Sequence, residues 1–193
     1  MVHRRLTLSL AAVFAALCLY YRGGLKLLPT VALPVAAHEL SHVLALWLLG
    51  RRITSFRLDA QGFKLAYSDD GSAHSDVMIA LAGPLGGVLY ALLADRAGID
   101  WLEQSAGVSL LLTAFNLLPI LPLDGGRVFF TLCERHGADR LYRAVGDILI
   151  TLLLVGGVVL AARQKSTVPL AAALWLMLLR EDEEGLVKSG RIG

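Results

Sequence analysis

A chain of 193 residues is too short for several domains, and with 56% hydrophobic and 18% charged residues it has the composition of a membrane protein. The formal net charge of +2 says little by itself, but the charges fall mostly in clusters between apolar stretches. The two cysteines, Cys18 in an apolar segment and Cys133 in a charged loop, argue against a structural disulfide and exclude a metal site built on cysteine pairs. Any metal must use histidine and carboxylate.

The first apolar run, Leu6 to Tyr21, follows His3-Arg4-Arg5. Leu19, Tyr20 and Tyr21 occupy the place of a small-x-small cleavage site, so the run reads as a retained helix and not a signal peptide. The second run, Leu25 to Leu49, contains Pro29 and Pro34. Pro34 leaves the carbonyl of Thr30 without its helical donor, which predicts a kink one turn before His38. The same run carries His38-Glu39-Leu40-Ser41-His42. Helix positions four apart lie on one face, so His38 and His42 can offer two imidazoles to one ion. Glu39, one step round, can act on a metal-bound water, which is the H-E-x-x-H arrangement of zinc hydrolases. An ionisable cluster in lipid is costly and marks a functional site. Buried structural histidines beside a glutamate are the non-catalytic alternative.

Between the second and third runs, Phe56 and Leu58, then Phe63, Leu65 and Tyr67, alternate with polar residues around Gln61-Gly62. The pattern predicts a short β-hairpin, read either as a flap or as an edge strand for an extended substrate. Further apolar runs follow at Val77 to Leu93, Ala106 to Leu123, Asp147 to Ala162 and Thr167 to Leu179, the last short for a full span. The expectation is an all-α polytopic membrane protein, one domain over residues 1–193. It has about six transmembrane helices (about 6–21, 25–49, 77–93, 106–123, 147–162 and 167–179), a hairpin between the second and third, and a broken fourth helix. Of the 18 lysines and arginines, thirteen then fall on the side of the N-terminus and five on the other, which puts both termini in the cytoplasm. His42 stands nine residues before Arg51, about 13 Å from the cytoplasmic end at helical rise.

A catalytic zinc site usually has three protein ligands and an open position. His3, His74 and His136 lie at the terminus or in polar loops and read as solvated. The better candidate is Asp124, in the segment from Asn116 to Arg127 that Pro119 and Pro122 keep from forming a regular helix. Irregular backbone at membrane depth is tolerated where protein buries it or a wet cavity adjoins it. Alternatively Asp124 is the N-cap of a helix beginning near Arg127, with Gly125-Gly126 as a turn. A metal would also neutralise Glu39 and Asp124, two acids otherwise lacking a cation.

His38-Glu39-Leu40-Ser41-His42, followed by Asn116-x-x-Pro119 and Leu123-Asp124-Gly125, resembles the site-2 protease family of intramembrane zinc metalloproteases, and its compact sporulation stage IV factor branch. The resemblance implies one zinc ion held by His38, His42 and Asp124, with Glu39 as catalytic base and acid and Asn116 stabilising the oxyanion. It also implies residence in a lipid bilayer, such as a bacterial cell membrane. The substrates would be membrane proteins or membrane-associated peptides, with a homo-oligomer or regulatory membrane partner as further associations; nucleic acid is not expected. Gly83-Pro84-Leu85-Gly86-Gly87 is similar to a Gly-Pro stretch of the family, but Gly87 stands where an asparagine is often found, and the preferred reading is close helix packing. The compact form that the resemblance implies has no inserted PDZ domain, and the short acidic stretch after Arg180 leads to the expectation of no CBS domain. The competing reading from another class is a membrane metal-binding or transport protein without hydrolytic activity.

Overall fold

The computed structural model describes the backbone of residues 7–8, 10–51, 53–59, 62–67 and 72–164, with 174 and 177, and the side chains of 28–51 and 72–163. The described chain runs β1 (Thr7–Leu8), α1 (Leu10–Leu48), β2 (Ile53–Asp59), β3 (Gly62–Tyr67), α2 (Ala73–Asp95), α3 (Asp100–Asn116), α4 (Asp124–Arg135) and α5 (Asp139–Gln164). It divides into two compact units, Met1–Asn116 and Leu117–Gly193.

The expected all-α set of six transmembrane helices is corrected. The described residues form five helices, and three segments are long and apolar enough to cross a bilayer: Leu28–Leu48, Ala73–Asp95 and Asp139–Arg163. The expected first two spans are one helix, because Arg22-Gly23-Gly24 weakens α1 without removing a backbone donor. The expected fourth span is replaced by α3, an irregular stretch over 117–123 and a separate α4. The expected sixth falls outside the described residues apart from 174 and 177.

In the first unit, α1, α2 and α3 pack on one another. α2 starts where the Ser72 hydroxyl accepts from Ser75 N at 3.3 Å, and Asp76 favours the positive end of the helix. Arg51, just past α1, binds this start: its guanidinium donates to Asp76 at 2.7 Å and to Ser75 Oγ at 3.2 Å. α3 opens on Asp100 and Glu103, again acids at a helix N-terminus. Ala91, Ala94 and Ala106 form a small-residue core between α2 and α3, with Tyr90 and Leu102 against it. Below this core the interior is polar. His38, His42, Ser105, Ser109 and Thr113 are buried, while Trp47, Leu85 and Leu111 are among the most exposed residues. Apolar side chains outside and hydrogen-bonding ones inside suit a bilayer, where helix contacts rely on close packing and polar groups.

A three-stranded sheet, order β1-β2-β3, belongs to the same unit. β1 runs parallel to β2, with Thr7 opposite Arg57, and β2 runs antiparallel to β3, with Phe56 opposite Leu65.

In the second unit, Gly137, at φ 65°, lets the chain turn between α4 and α5. Leu121, Cys133 and Tyr142 form the core, with Phe129, Phe130 and Ala138 packed on it.

Candidate metal centre

His38 and His42 both come from α1, one turn apart, and both are buried. Their rings meet edge to face with centroids 4.9 Å apart. His42 Nδ1 lies 2.8 Å from the carbonyl oxygen of Ile79 on α2. A carbonyl only accepts, so Nδ1 carries the hydrogen and the Nε2 lone pair of neutral His42 is left for another partner. That Nε2 lies 3.2 Å from Nε2 of His38. Two nitrogens on one tetrahedral zinc, each at about 2.0–2.1 Å, stand roughly 3.3 Å apart. The two imidazoles fit such an ion.

Room for this arrangement comes from α2. A Cβ at Gly83 would overlap Nε2 of His42 and stand 2.7 Å from Nε2 of His38, so only glycine leaves the imidazoles their place. Gly87, one turn on, faces α3: a Cβ there would overlap Thr113 Oγ1, in keeping with the close-packing reading of this stretch. Ser41 turns its hydroxyl back to the Ala37 carbonyl at 2.7 Å. Glu39 is half-buried on α1.

Asp124 is buried at the head of α4 in the second unit. It is the first helical residue and not the cap: Leu123 occupies the cap position with φ −67° and ψ 159° and makes no side-chain cap bond. The capping alternative is therefore set aside. Asn116, the last residue of α3, is half-buried and donates from Nδ2 to the Leu112 carbonyl one turn back at 3.1 Å. His136 is exposed, with Nδ1 2.8 Å from the Leu132 carbonyl, and belongs to the end of α4. Sequence reasoning missed the Ile79 carbonyl, since a main-chain acceptor leaves no mark in residue type. It also missed that Gly83 faces the imidazoles, although a glycine inside an apolar helix was the available signal.

The family model described as peptidase M50B-like matches residues 9–180. A protein of Mycobacterium tuberculosis, "Putative zinc metalloprotease Rip3", is 35% identical over 158 residues in each of two strains, taking in 65% of this chain and 39% of that protein. The chain thus spans about two fifths of the length of the curated relatives it matches. Among solved structures, the site-2 protease from Methanocaldococcus jannaschii shares the fold, with a TM-score of 0.67 over 89% of this chain and 85% of that one at 20% identity. The family match takes in the histidine pair, the α3–α4 break and Asp124, and the apolar helices are those of an integral membrane protein: the chain belongs to the peptidase M50B-like family.

Proposed function

We propose that residues 1–193 work as one intramembrane zinc metalloprotease domain that hydrolyses peptide bonds in or near transmembrane segments of membrane-associated substrates. The observation that carries this reading is the histidine pair: two Nε2 atoms 3.2 Å apart, one of them on a ring whose Nδ1 is engaged by the Ile79 carbonyl, directly beside an acid. Family membership and the chain's likeness to a protein named as a putative zinc metalloprotease support it.

In this reading His38, His42 and Asp124 hold the zinc. Asp124 is suited by its buried place at the head of α4. When bound there, zinc would supply an acidified water, its pKa lowered toward about 7. Glu39 takes a proton from the attacking water as its oxygen bonds to the scissile carbonyl carbon, and returns that proton to the amine as the C–N bond breaks. Asn116 Nδ2 bears a second hydrogen beside the one given to Leu112, and in this reading that hydrogen would serve the oxyanion. A substrate helix must unwind before its carbonyl can be reached.

The test is Glu39→Gln in purified, reconstituted protein. Metal content should stay as in the wild type, while cleavage of a membrane-embedded peptide falls by at least about a hundredfold. Undiminished cleavage overturns the role given to Glu39.

A further inference from the structure

The stretch 117–123 ahead of Asp124 has few backbone donors, since Pro119 and Pro122 have no N–H. Ile120 N donates to the Leu118 carbonyl at 2.8 Å and Leu123 N to the Ile120 carbonyl at 3.0 Å, so both are satisfied inside the loop. Leu121 N is satisfied from outside it. It donates to the Tyr142 hydroxyl on α5 at 3.3 Å, with Leu121 and Tyr142 only 9% and 5% exposed. The Tyr142 ring is held in turn by Phe129 and Phe130 of α4, at centroid distances of 5.9 and 5.3 Å. The loop also lies directly on the first turn of α4. A Cβ at Gly125 would overlap the Leu117 carbonyl, and one at Gly126 would overlap the Ile120 carbonyl. The main chain of Asp124 therefore stands between Leu123, which is part of the loop, and two glycines on which the loop rests.

We propose that Tyr142 is a positioning residue for the Asp124 carboxylate. Its hydroxyl fixes Leu121, Leu121 fixes the loop, and the loop sets the direction in which Asp124 leaves the helix head. The inference rests on the reading of Asp124 as a metal ligand. Without the hydroxyl, the Leu121 N–H is buried with no acceptor, a costly state that the loop relieves by shifting toward a new one. Gly125 and Gly126 are in contact with that loop, so the helix head shifts with it and the carboxylate loses its aim. Groups that orient metal ligands from behind typically change metal affinity tenfold or more when removed.

The experiment is a cobalt(II) titration of the full chain in detergent, following the visible absorption band and competition with a chelator. Three variants are compared: Tyr142→Phe, Asp124→Asn and Cys133→Ala. Cys133 belongs to the same core as Tyr142 but leaves the hydroxyl in place. Tyr142→Phe should weaken cobalt binding by about tenfold and shift the band. Cys133→Ala should keep the wild-type affinity even where it lowers the unfolding temperature. Wild-type affinity and spectrum in Tyr142→Phe, with binding weakened in Asp124→Asn, overturn the positioning role and leave the ligand reading intact. Unchanged binding in Asp124→Asn overturns the ligand reading and the inference with it. Equal losses in Tyr142→Phe and Cys133→Ala reduce Tyr142 to a stability element and also overturn the proposal. If Tyr142→Phe does not fold, Phe130→Leu takes its place: it loosens the ring without removing the hydroxyl, and unchanged affinity and spectrum there count against the proposal.

Discussion

Ser105 on α3 donates its hydroxyl hydrogen to the Thr30 carbonyl on α1 at 2.9 Å, and this is the carbonyl that Pro34 deprives of its helical donor. Tyr90 OH lies 2.7 Å from the same Ser105 oxygen and, with the serine hydrogen already engaged, acts as the donor to it. A proline in one helix is thus answered by a serine 75 residues beyond the carbonyl it deprives, and the tyrosine orients the serine.

Ser105→Ala should therefore destabilise the protein by about 1–3 kcal/mol, the usual effect of taking a partner from a buried polar group. The double variant Ser105→Ala with Pro34→Ala should recover most of the loss, because residue 34 then has an N–H for Thr30. Denaturant unfolding in detergent measures both, and simple additivity of the two single changes speaks against the pairing.

Gly83→Ala should abolish metal binding, since its methyl would overlap the ring nitrogens of the histidine pair. Gly107→Ala is the matched control: nothing lies within 4 Å of a Cβ there, and helix propensity favours alanine by up to about 1 kcal/mol. Elemental analysis should find zinc in the second variant and none in the first.

Thr113 places its hydroxyl in the polar interior with no hydrogen-bond partner among the described residues. Thr113→Val, which exchanges that hydroxyl for a methyl of similar size, should leave stability unchanged or raise it by up to about 1 kcal/mol. A loss of more than 1 kcal/mol in thermal unfolding would reveal a partner for it.

Asp76→Ala should lower stability by about 1–3 kcal/mol, because the Arg51 side chain is only 5% exposed and loses its 2.7 Å carboxylate. The figure is kept below that of a fully buried pair because Asp76 is itself 32% exposed. Asp76→Glu, which can still reach the guanidinium, should recover part of the stability in the same unfolding assay.

The donor spacing of the histidines was legible because helical periodicity alone puts positions four apart on one face, and the loss of the helical donor to the Thr30 carbonyl followed from the chemistry of Pro34. The partner of that carbonyl was not legible: Ser105 is an ordinary serine in an apolar run until the fold brings it alongside. The starts of α2, α3 and α5 erred in a consistent direction. Hydropathy finds the apolar middle of a helix, but Ser72 and Asp76 begin α2, Asp100 and Glu103 begin α3, and Asp139 begins α5, all in polar flanks that the runs left out. α4 has too few apolar residues to register as a run, and so it surfaced only as the alternative that made Asp124 a cap. Arg22-Gly23-Gly24 was read as a boundary although nothing in it stops backbone hydrogen bonding, and α1 passes through it.

The acceptor that aims His42 is a main-chain oxygen, and so it lies beyond the reach of side-chain mutagenesis. A saturation scan should find position 79 tolerant of other apolar residues and pass over it, although one of the shortest contacts of the centre is made there. Only a change to the chain itself would expose it: an α-hydroxy acid in place of Ala80 turns the Ile79 carbonyl into a weaker ester acceptor and loosens the imidazole while altering no side chain.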